Sequence, residues 1–194
     1  MRAAGLIAVV AVMTGCQAGR PVSSRRLIEH AAVIDFSGLR SAQAVDSVNL
    51  MCAVPRQWTA IPPKHNALYS HQQWKSPSGH TGFGVAYIHL PLPFGTKMLV
   101  WLAKQEYSKK ADDGKVLKEW EDDLGRSWFE AENSKYHVRG YAMTQGFEAW
   151  IIYFGYRTHY PPDPGEISLA ARSVDSIVPG IADAPTTQPV VMAR

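Results

Sequence analysis

Histidines near the middle of the chain are the first side chains whose type and spacing suggest chemistry. Seven histidines occur, and His71, His80 and His89 lie on or between the strands of a predicted hairpin. A register that places His71 opposite Tyr87 sets His71 and His89 on one face, whereas a slip of one residue separates them. Imidazole can act as a general base or as a metal ligand. His71 and His89 are therefore the candidate residues of a hydrolase or a metal-dependent enzyme.

Local patterns that usually accompany such an enzyme do not occur in the sequence. A zinc site needs three or four converging ligands, and neither HExxH nor CxxC spacing is present. The chain also has no GxSxG elbow, glycine-rich phosphate loop or dinucleotide fingerprint. Polar histidines on a half-exposed sheet explain the pattern, so no catalytic residue, metal or cofactor is predicted. A catalytic triad that assembles only in space stays open as an alternative.

Two pairs of adjacent aspartates are further candidate ligands for a metal ion. Asp112-Asp113 and Asp122-Asp123 precede or adjoin glycines in predicted turns. Neither pair has the alternating ligands of a calcium-binding loop. Both pairs are therefore predicted to be solvated turn residues.

The first fifteen residues have the layout of a secretory leader. Arg2 precedes an apolar run at 3–13, and small residues stand just before Cys16. The run is shorter than the roughly 20 residues that a membrane-spanning helix needs. Met13-Thr14-Gly15-Cys16 resembles the lipobox of bacterial lipoproteins, in which the cysteine receives a diacylglyceryl group and the leader is cut before it. The resemblance implies a signal peptide at 1–15 and lipidation of Cys16, and a plain secretory leader is the alternative.

Lipid on Cys16 determines where the mature protein is expected to act. Acyl chains contribute about 0.8 kcal/mol per buried CH₂ and hold a protein on a bilayer without a transmembrane helix. Gln17 lacks the retention signal that Asp gives at this position, so we expect an extracytoplasmic protein of the cell envelope, with the outer membrane favoured. Cys52, the other cysteine, lies in an apolar run and is predicted to be an inert core residue.

The charge balance argues against nucleic acid as a partner. Removing Arg2 with the leader leaves 19 of the 20 Lys and Arg residues, against 17 Asp and Glu residues. The adjacent basic pairs are Arg25-Arg26 and Lys109-Lys110, whereas nucleic-acid-binding proteins cluster their cations along one stripe. A content of 46% hydrophobic and 19% charged residues is typical of one globular domain.

Hydrophobic periodicity and turn residues predict a domain at 45–180, after a lipidated tether at 16–44 with at most one edge strand, and before a disordered tail at 181–194. The closing helix has the clearest signals. Asp163 can cap it, Pro164 suits its first position, and Glu166 completes a variant capping box. Its apolar residues recur at spacings of three and four, so this helix must lie on a sheet.

The other predictions are a helix at 96–110 and strands at 47–54, 68–74, 81–90, 116–121, 127–132 continuing through 136–144, and 147–158.

The order of these elements resembles the PsbP-type family. A strand is followed by Val54-Pro55-x-x-Trp58, a hairpin, a helix, long strands rich in glycine and aromatic residues, and a helix ending at Ser176-Ile177-Val178. The family includes the extrinsic protein of the oxygen-evolving complex, a Ran nucleotide-release factor and bacterial lipoproteins. The resemblance covers roughly residues 46–179 and implies an α+β fold, with a mainly antiparallel sheet sandwiched by helices in an α/β/α arrangement. A ferredoxin-like sandwich or a small curved β fold with flanking helices is the alternative.

Three classes of function remain. The favoured one is a non-enzymatic binding or assembly accessory, because the family that the chain resembles mostly holds partners. The expected partners are the membrane, through lipid on Cys16, and an envelope protein. The alternatives are an extracytoplasmic hydrolase or metal-dependent enzyme that uses His71 or His89, and a structural envelope protein without a specific ligand. Six tryptophans and eight tyrosines are mostly expected in the core, and any exposed ones would mark a contact surface.

Overall fold

Antiparallel strands are the main secondary structure of the computed structural model, which describes residues 23–66, 69–89, 95–110 and 113–180. The strands are β1 Gln43–Val45, β2 Leu50–Cys52, β3 Thr59–Asn66, β4 Tyr69–Lys75, β5 Thr81–His89, β6 Lys115–Glu121, β7 Ser127–Glu132, β8 Tyr136–Gln145, β9 Glu148–Arg157 and β10 Val178–Pro179. The helices are α1 Ser24–Ala31, α2 Thr96–Lys110 and α3 Pro164–Asp175, with a 3₁₀ turn at Asp46–Val48.

Seven of the strands form one sheet in the order β3-β4-β5-β9-β8-β7-β6, and each neighbouring pair is antiparallel. A second, small sheet has the order β1-β2-β10. The predicted α+β class with a mainly antiparallel sheet is confirmed.

Alternation along the strands separates two apolar clusters. Tyr141 and Trp150 belong to the larger cluster, which also contains Val174 of α3 and residues of the small sheet. Their neighbours Ala142 and Ala149 belong to the other cluster, together with residues of α2. Successive side chains of a strand point to opposite faces, so the two clusters lie on opposite faces of the seven-stranded sheet. These faces are called the α3 face and the α2 face below.

The two long helices form where the sequence predicts them. The predicted range of α2 is confirmed, and α3 begins at Pro164 after Asp163. Asp163 Oδ1 accepts hydrogen bonds from the backbone N–H groups of Gly165 at 2.7 Å and Glu166 at 3.3 Å, so the predicted cap is confirmed. Glu166 does not close the capping box, because its carboxylate accepts a 2.7 Å hydrogen bond from the hydroxyl of Ser78 instead. This bond ties α3 to the turn between β4 and β5.

The folded unit begins earlier than the predicted boundary at 45. In the segment predicted as a tether, α1 buries Leu27, and Leu39 is only 2% exposed. Leu39 also bridges to Pro55, and the N–H of Arg40 donates to Val54 O at 2.8 Å. The prediction that 24–44 is a loose tether is therefore wrong. An amphipathic helix of eight residues is too short to show a sustained period in the sequence. Cys16, the leader and the predicted tail at 181–194 lie outside the described residues.

Three further elements differ from prediction. The strand β3 was not predicted, since it contains Pro62-Pro63 and lies at an edge of the sheet. The predicted continuous strand at 127–144 is two strands, separated by a turn in which Asn133 Oδ1 accepts the N–H groups of Lys135 and Tyr136. The predicted strand at 47–54 contains only the three residues of β2 in a sheet, after the 3₁₀ turn. None of the helices in the described ranges is long and apolar enough to cross a membrane.

Candidate functional site

The two candidate histidines do not share a face of the sheet. His71 pairs with Ala86, whereas Tyr87 pairs with Ser70, so the hairpin register is shifted by one residue from the one that would unite the imidazoles. His71 therefore lies on the α2 face, and His89 lies on the α3 face at the exposed end of β5. Of the two registers that the sequence leaves open, the hairpin therefore has the one that separates the imidazoles.

His71 instead belongs to a polar group on the α2 face. Its Nε2 atom lies 2.6 Å from the hydroxyl of Tyr153, and Gln73 Nε2 donates to the same hydroxyl at 2.6 Å. Since Gln73 supplies a proton to the oxygen, the Tyr153 hydroxyl can donate its own proton to His71. Burial raises the pKa of Tyr153 well above its ordinary value, so its hydroxyl is neutral at physiological pH. The group can orient an imidazole, but Tyr153 is not a base here.

Two glycines beneath Tyr153 explain how its ring reaches β4. A Cβ atom on Gly84 would stand 2.7 Å from the Tyr153 hydroxyl oxygen, and one on Gly140 would stand 2.8 Å from Tyr153 Cβ. These glycines lie directly across from Tyr153 on the two adjacent strands. The glycines therefore provide the space in which Tyr153 crosses β5 and meets Gln73 and His71.

A second group, on the α3 face, alternates cations with aromatic rings across three strands and the turn that joins two of them. The guanidinium carbon of Arg126 lies 5.0 Å from the ring centroid of Trp128 and 4.7 Å from that of Tyr141. The guanidinium carbon of Arg139 lies 5.3 Å from the centroid of Trp128 and 4.8 Å from that of Trp120. Such contacts are attractive because the ring face is electron-rich. With Lys118 Nζ 5.1 Å from the Trp120 centroid, these residues form what we call the cation–π row.

The inner end of the row is anchored by ion pairs. Arg126 Nε donates to Asp122 Oδ2 at 2.6 Å and its Nη1 to Asp175 Oδ1 at 3.1 Å, and its side chain is only 6% exposed. Burial opposes ionisation of Asp122, but hydrogen bonds from the Trp128 indole and Arg126 outweigh it and lower its pKa. The prediction that Asp122 is a solvated turn residue is therefore wrong. Asp113 is exposed, as predicted, and accepts the Ser134 N–H.

Beside the outer end of the row, His137 lies between two carboxylates. Its Nε2 is 2.8 Å from Glu130 Oε1 and its Nδ1 is 2.9 Å from Glu132 Oε2. Both ring nitrogens can donate to carboxylates only when the imidazole is protonated. The ring also stacks on Tyr156, with centroids 5.0 Å apart. Desolvation and the two glutamates raise the pKa of Tyr156. No local sequence pattern predicts this group or the cation–π row, because their members come together only through the register of β6, β7 and β8.

Possible metal ligands and the Cys52 thiol complete the description of reactive side chains. Among these residues, no three His, Cys, Asp or Glu side chains are grouped so as to hold a metal ion. Cys52 is fully buried, as predicted, and burial raises the pKa of its thiol to about 12. The predicted core position of Cys52 is confirmed.

Comparisons with known proteins give a distant structural likeness. No protein family and no curated protein matches the sequence. Matching solved structures include a crystal structure, at 1.50 Å resolution, of a protein from Bacteroides thetaiotaomicron VPI-5482, with 10% sequence identity and a TM-score of 0.35. The alignment covers 71% of this chain and 46% of that one. The chain thus spans less than half the length of this structural neighbour.

Proposed function

We propose that this chain is an extracytoplasmic lipoprotein of the cell envelope, anchored by lipid on Cys16, whose domain binds a partner rather than transforming a substrate. The leader and the Met13-Thr14-Gly15-Cys16 sequence support the anchor. We also propose that the domain is an α/β/α sandwich of the PsbP type, which the element order supports. Because Gln17 lacks a retention signal, the outer membrane is the favoured location.

The observation that carries the binding role is the position of Arg139. Arg139 is an exposed residue, yet its guanidinium contacts two tryptophan rings. A recognition group that is already ordered loses little conformational entropy when it binds. The other residues of the row are bulky aromatics and ion-paired or exposed cations, which suit recognition of a ligand. An envelope component that meets this surface is the expected partner.

Labelling tests the anchor directly. In a lipoprotein-competent bacterium, the wild-type protein should incorporate labelled palmitate and partition into detergent, and Cys16→Ser should do neither. Cys52→Ser is the matched control, because Cys52 is buried and should not be the acylated residue. Label that persists in Cys16→Ser would contradict lipidation of this cysteine.

Cross-linking in native membranes tests the binding role. A photoreactive amino acid in place of Leu117, the exposed neighbour of Lys118 on β6, samples the outer end of the row, and one in place of Lys64 samples the opposite edge strand of the sheet. We expect one reproducible envelope component from position 117, lost when Arg139→Gln is added, and no such component from position 64. Equal or absent cross-linking at both positions would contradict a binding surface at the row.

An extracytoplasmic enzyme that uses His71 is the second candidate. The short contact of His71 with Tyr153 favours it, since this contact orients the imidazole, as a catalytic histidine requires. Purified protein should then turn over an envelope ester or glycan, with His71→Ala inactive and Arg139→Gln active. The reverse dependence, with Arg139 required for function and His71 dispensable, supports the binding role.

A further inference from the structure

Two exposed cations at the outer end of the cation–π row have no acidic partner in the described parts of the chain. Arg139 and Lys118 both contact the ring of Trp120, and neither forms an ion pair with a described residue. A guanidinium in contact with aromatic rings can still use its N–H edges for hydrogen bonds. Those edges fit a phosphate or carboxylate through two parallel bonds.

The nearest acidic residue in the sheet is directed elsewhere. Glu130 pairs in register with Arg139 on one side and Lys118 on the other, so it is placed to neutralise both. Its carboxylate instead contacts His137, as does that of Glu132. His137 thus engages both acidic residues on this part of the α3 face. The charges of Arg139 and Lys118 are left for an external anion.

The first helix contacts the turn at the inner end of the cation–π row. Arg26, in the first turn of α1, donates to the carbonyl of Asp123 in the turn between β6 and β7. Trp120 and Trp128 stand on the two strands that this turn joins. The eight peptide bonds from Cys16 to Ser24 can span at most about 28 Å. A lipid on Cys16 therefore keeps the β6–β7 side of the domain, which carries the row, within reach of the bilayer.

We infer that Arg139 and Lys118 bind the phosphate of an anionic lipid headgroup in the membrane that anchors Cys16; this inference rests on the proposed lipid anchor. The guanidinium edge supplies two directed hydrogen bonds and the ammonium adds a point charge. Trp120, half-buried beneath both cations, adds an amphipathic ring of the kind that prefers the headgroup region. The contact orients the domain with β6 towards the bilayer and β3 away from it.

Tryptophan fluorescence can report this contact because few indoles are accessible. Trp101 is 43% exposed and Trp120 is half-buried, whereas the other four tryptophans are buried. In the full lipoprotein with Trp101→Phe, aqueous acrylamide should therefore quench mainly Trp120. The protein is reconstituted into nanodiscs of neutral phosphatidylcholine, or of phosphatidylcholine mixed with anionic phosphatidylglycerol. We expect quenching to fall by about half in the anionic discs, since the headgroups cover the outer side of the ring.

Variants identify the residues responsible. Arg139→Gln and Lys118→Gln should each reduce the difference in acrylamide quenching between neutral and anionic discs, and the double variant should abolish that difference. Lys64→Gln is the matched control, because Lys64 is an exposed cation on the opposite edge strand. Releasing Glu130 by His137→Phe should also weaken the difference, and adding Glu130→Gln to that variant should restore it. High salt should reduce the effect of the anionic discs.

Several results would overturn the inference. Equal quenching in neutral and anionic discs would exclude headgroup binding. Protection of Trp120 by inorganic phosphate in neutral discs, as strong as that given by phosphatidylglycerol, would assign the site to a free phosphate ligand. Protection only by an acidic protein recovered from the envelope would assign it to a protein partner. Failure of the proposed anchor would be detected separately, because the mass of the protein would then lack the diacylglyceryl group. The unlipidated protein can still be mixed with vesicles of the same two lipid compositions. Protection of Trp120 from acrylamide by the anionic vesicles alone would then support the headgroup site.

Discussion

Replacing Arg126 by methionine tests whether the ion pairs at the inner end of the cation–π row stabilise the fold. The Arg126 side chain is 6% exposed, while its partners Asp122 and Asp175 are 20% and 35% exposed. Breaking a fully buried ion pair costs about 3–5 kcal/mol, because the remaining charge loses its partner. Solvent reaches both carboxylates here, and Asp122 keeps its bond from the Trp128 indole, so we expect a loss of about 2–3 kcal/mol.

Urea and thermal unfolding measure this loss. For a domain of this size, the expected decrease in Tm is roughly 4–12 °C. Arg157→Met removes an exposed arginine from β9 and should change the free energy of unfolding by less than about 0.5 kcal/mol. If Arg126→Met is as stable as Arg157→Met, the ion pairs do not stabilise the fold and the reasoning fails.

The pH dependence provides an independent check. The folded-state pKa of Asp122 is lowered below its ordinary value of 3.8, so its charged form stabilises the fold above that pH. This contribution is lost as the pH falls through the folded-state pKa. The difference in stability between the wild type and Arg126→Met should therefore be largest near neutral pH and should narrow below about pH 3.8. A difference that widens on acidification would contradict the assignment.

Two further predictions concern the core beneath α3. Val174→Asp places a charge at a fully buried position and should lower the free energy of unfolding by more than about 3 kcal/mol. Ser168→Asp, on the exposed side of α3, is the control and should change the free energy of unfolding little. Equal melting temperatures of the two variants would show that the helix is oriented differently. Cys52 should react with a thiol reagent in the native protein only as fast as the chain unfolds, because burial shields its thiol and raises the thiol pKa to about 12. Rapid labelling of the native protein would instead place Cys52 at the surface.

Local signals in the sequence were sufficient for elements that carry their own start and stop residues. Asp163 and Pro164 mark the start of α3, and the Ser76–Gly79 turn places β4 and β5 on either side. The edge strand β3 was missed because proline argues against a strand unless its position at an edge is already known. The turn after β7 depends on the Asn133 side chain, a signal that the polar residues around it obscured.

The candidate site could not be predicted to the same extent. Trp120, Trp128 and Arg139 lie on three different strands, so their contact depends on two registers that the sequence does not specify locally. The register of β6 on β7 also shifts at an irregularity between Val116 and Lys118. A similar one-residue shift in the hairpin separated His71 from His89. Predicting which side chains meet across a sheet therefore requires the strand register as well as the pattern of residues along each strand.

The central position of the β5–β9 pair has a consequence for how the chain acquires its structure. β5 ends at His89 and β9 begins at Glu148, so the sheet cannot close until the ribosome has made most of the domain. Before then, β3–β5 and β6–β8 each have an unpaired inner edge. Pairing across such a separation is slow, because a long loop must be ordered before any contact forms. The growing chain should therefore remain open for longer than a domain built from sequential hairpins, which leaves time for chaperones to bind it unfolded.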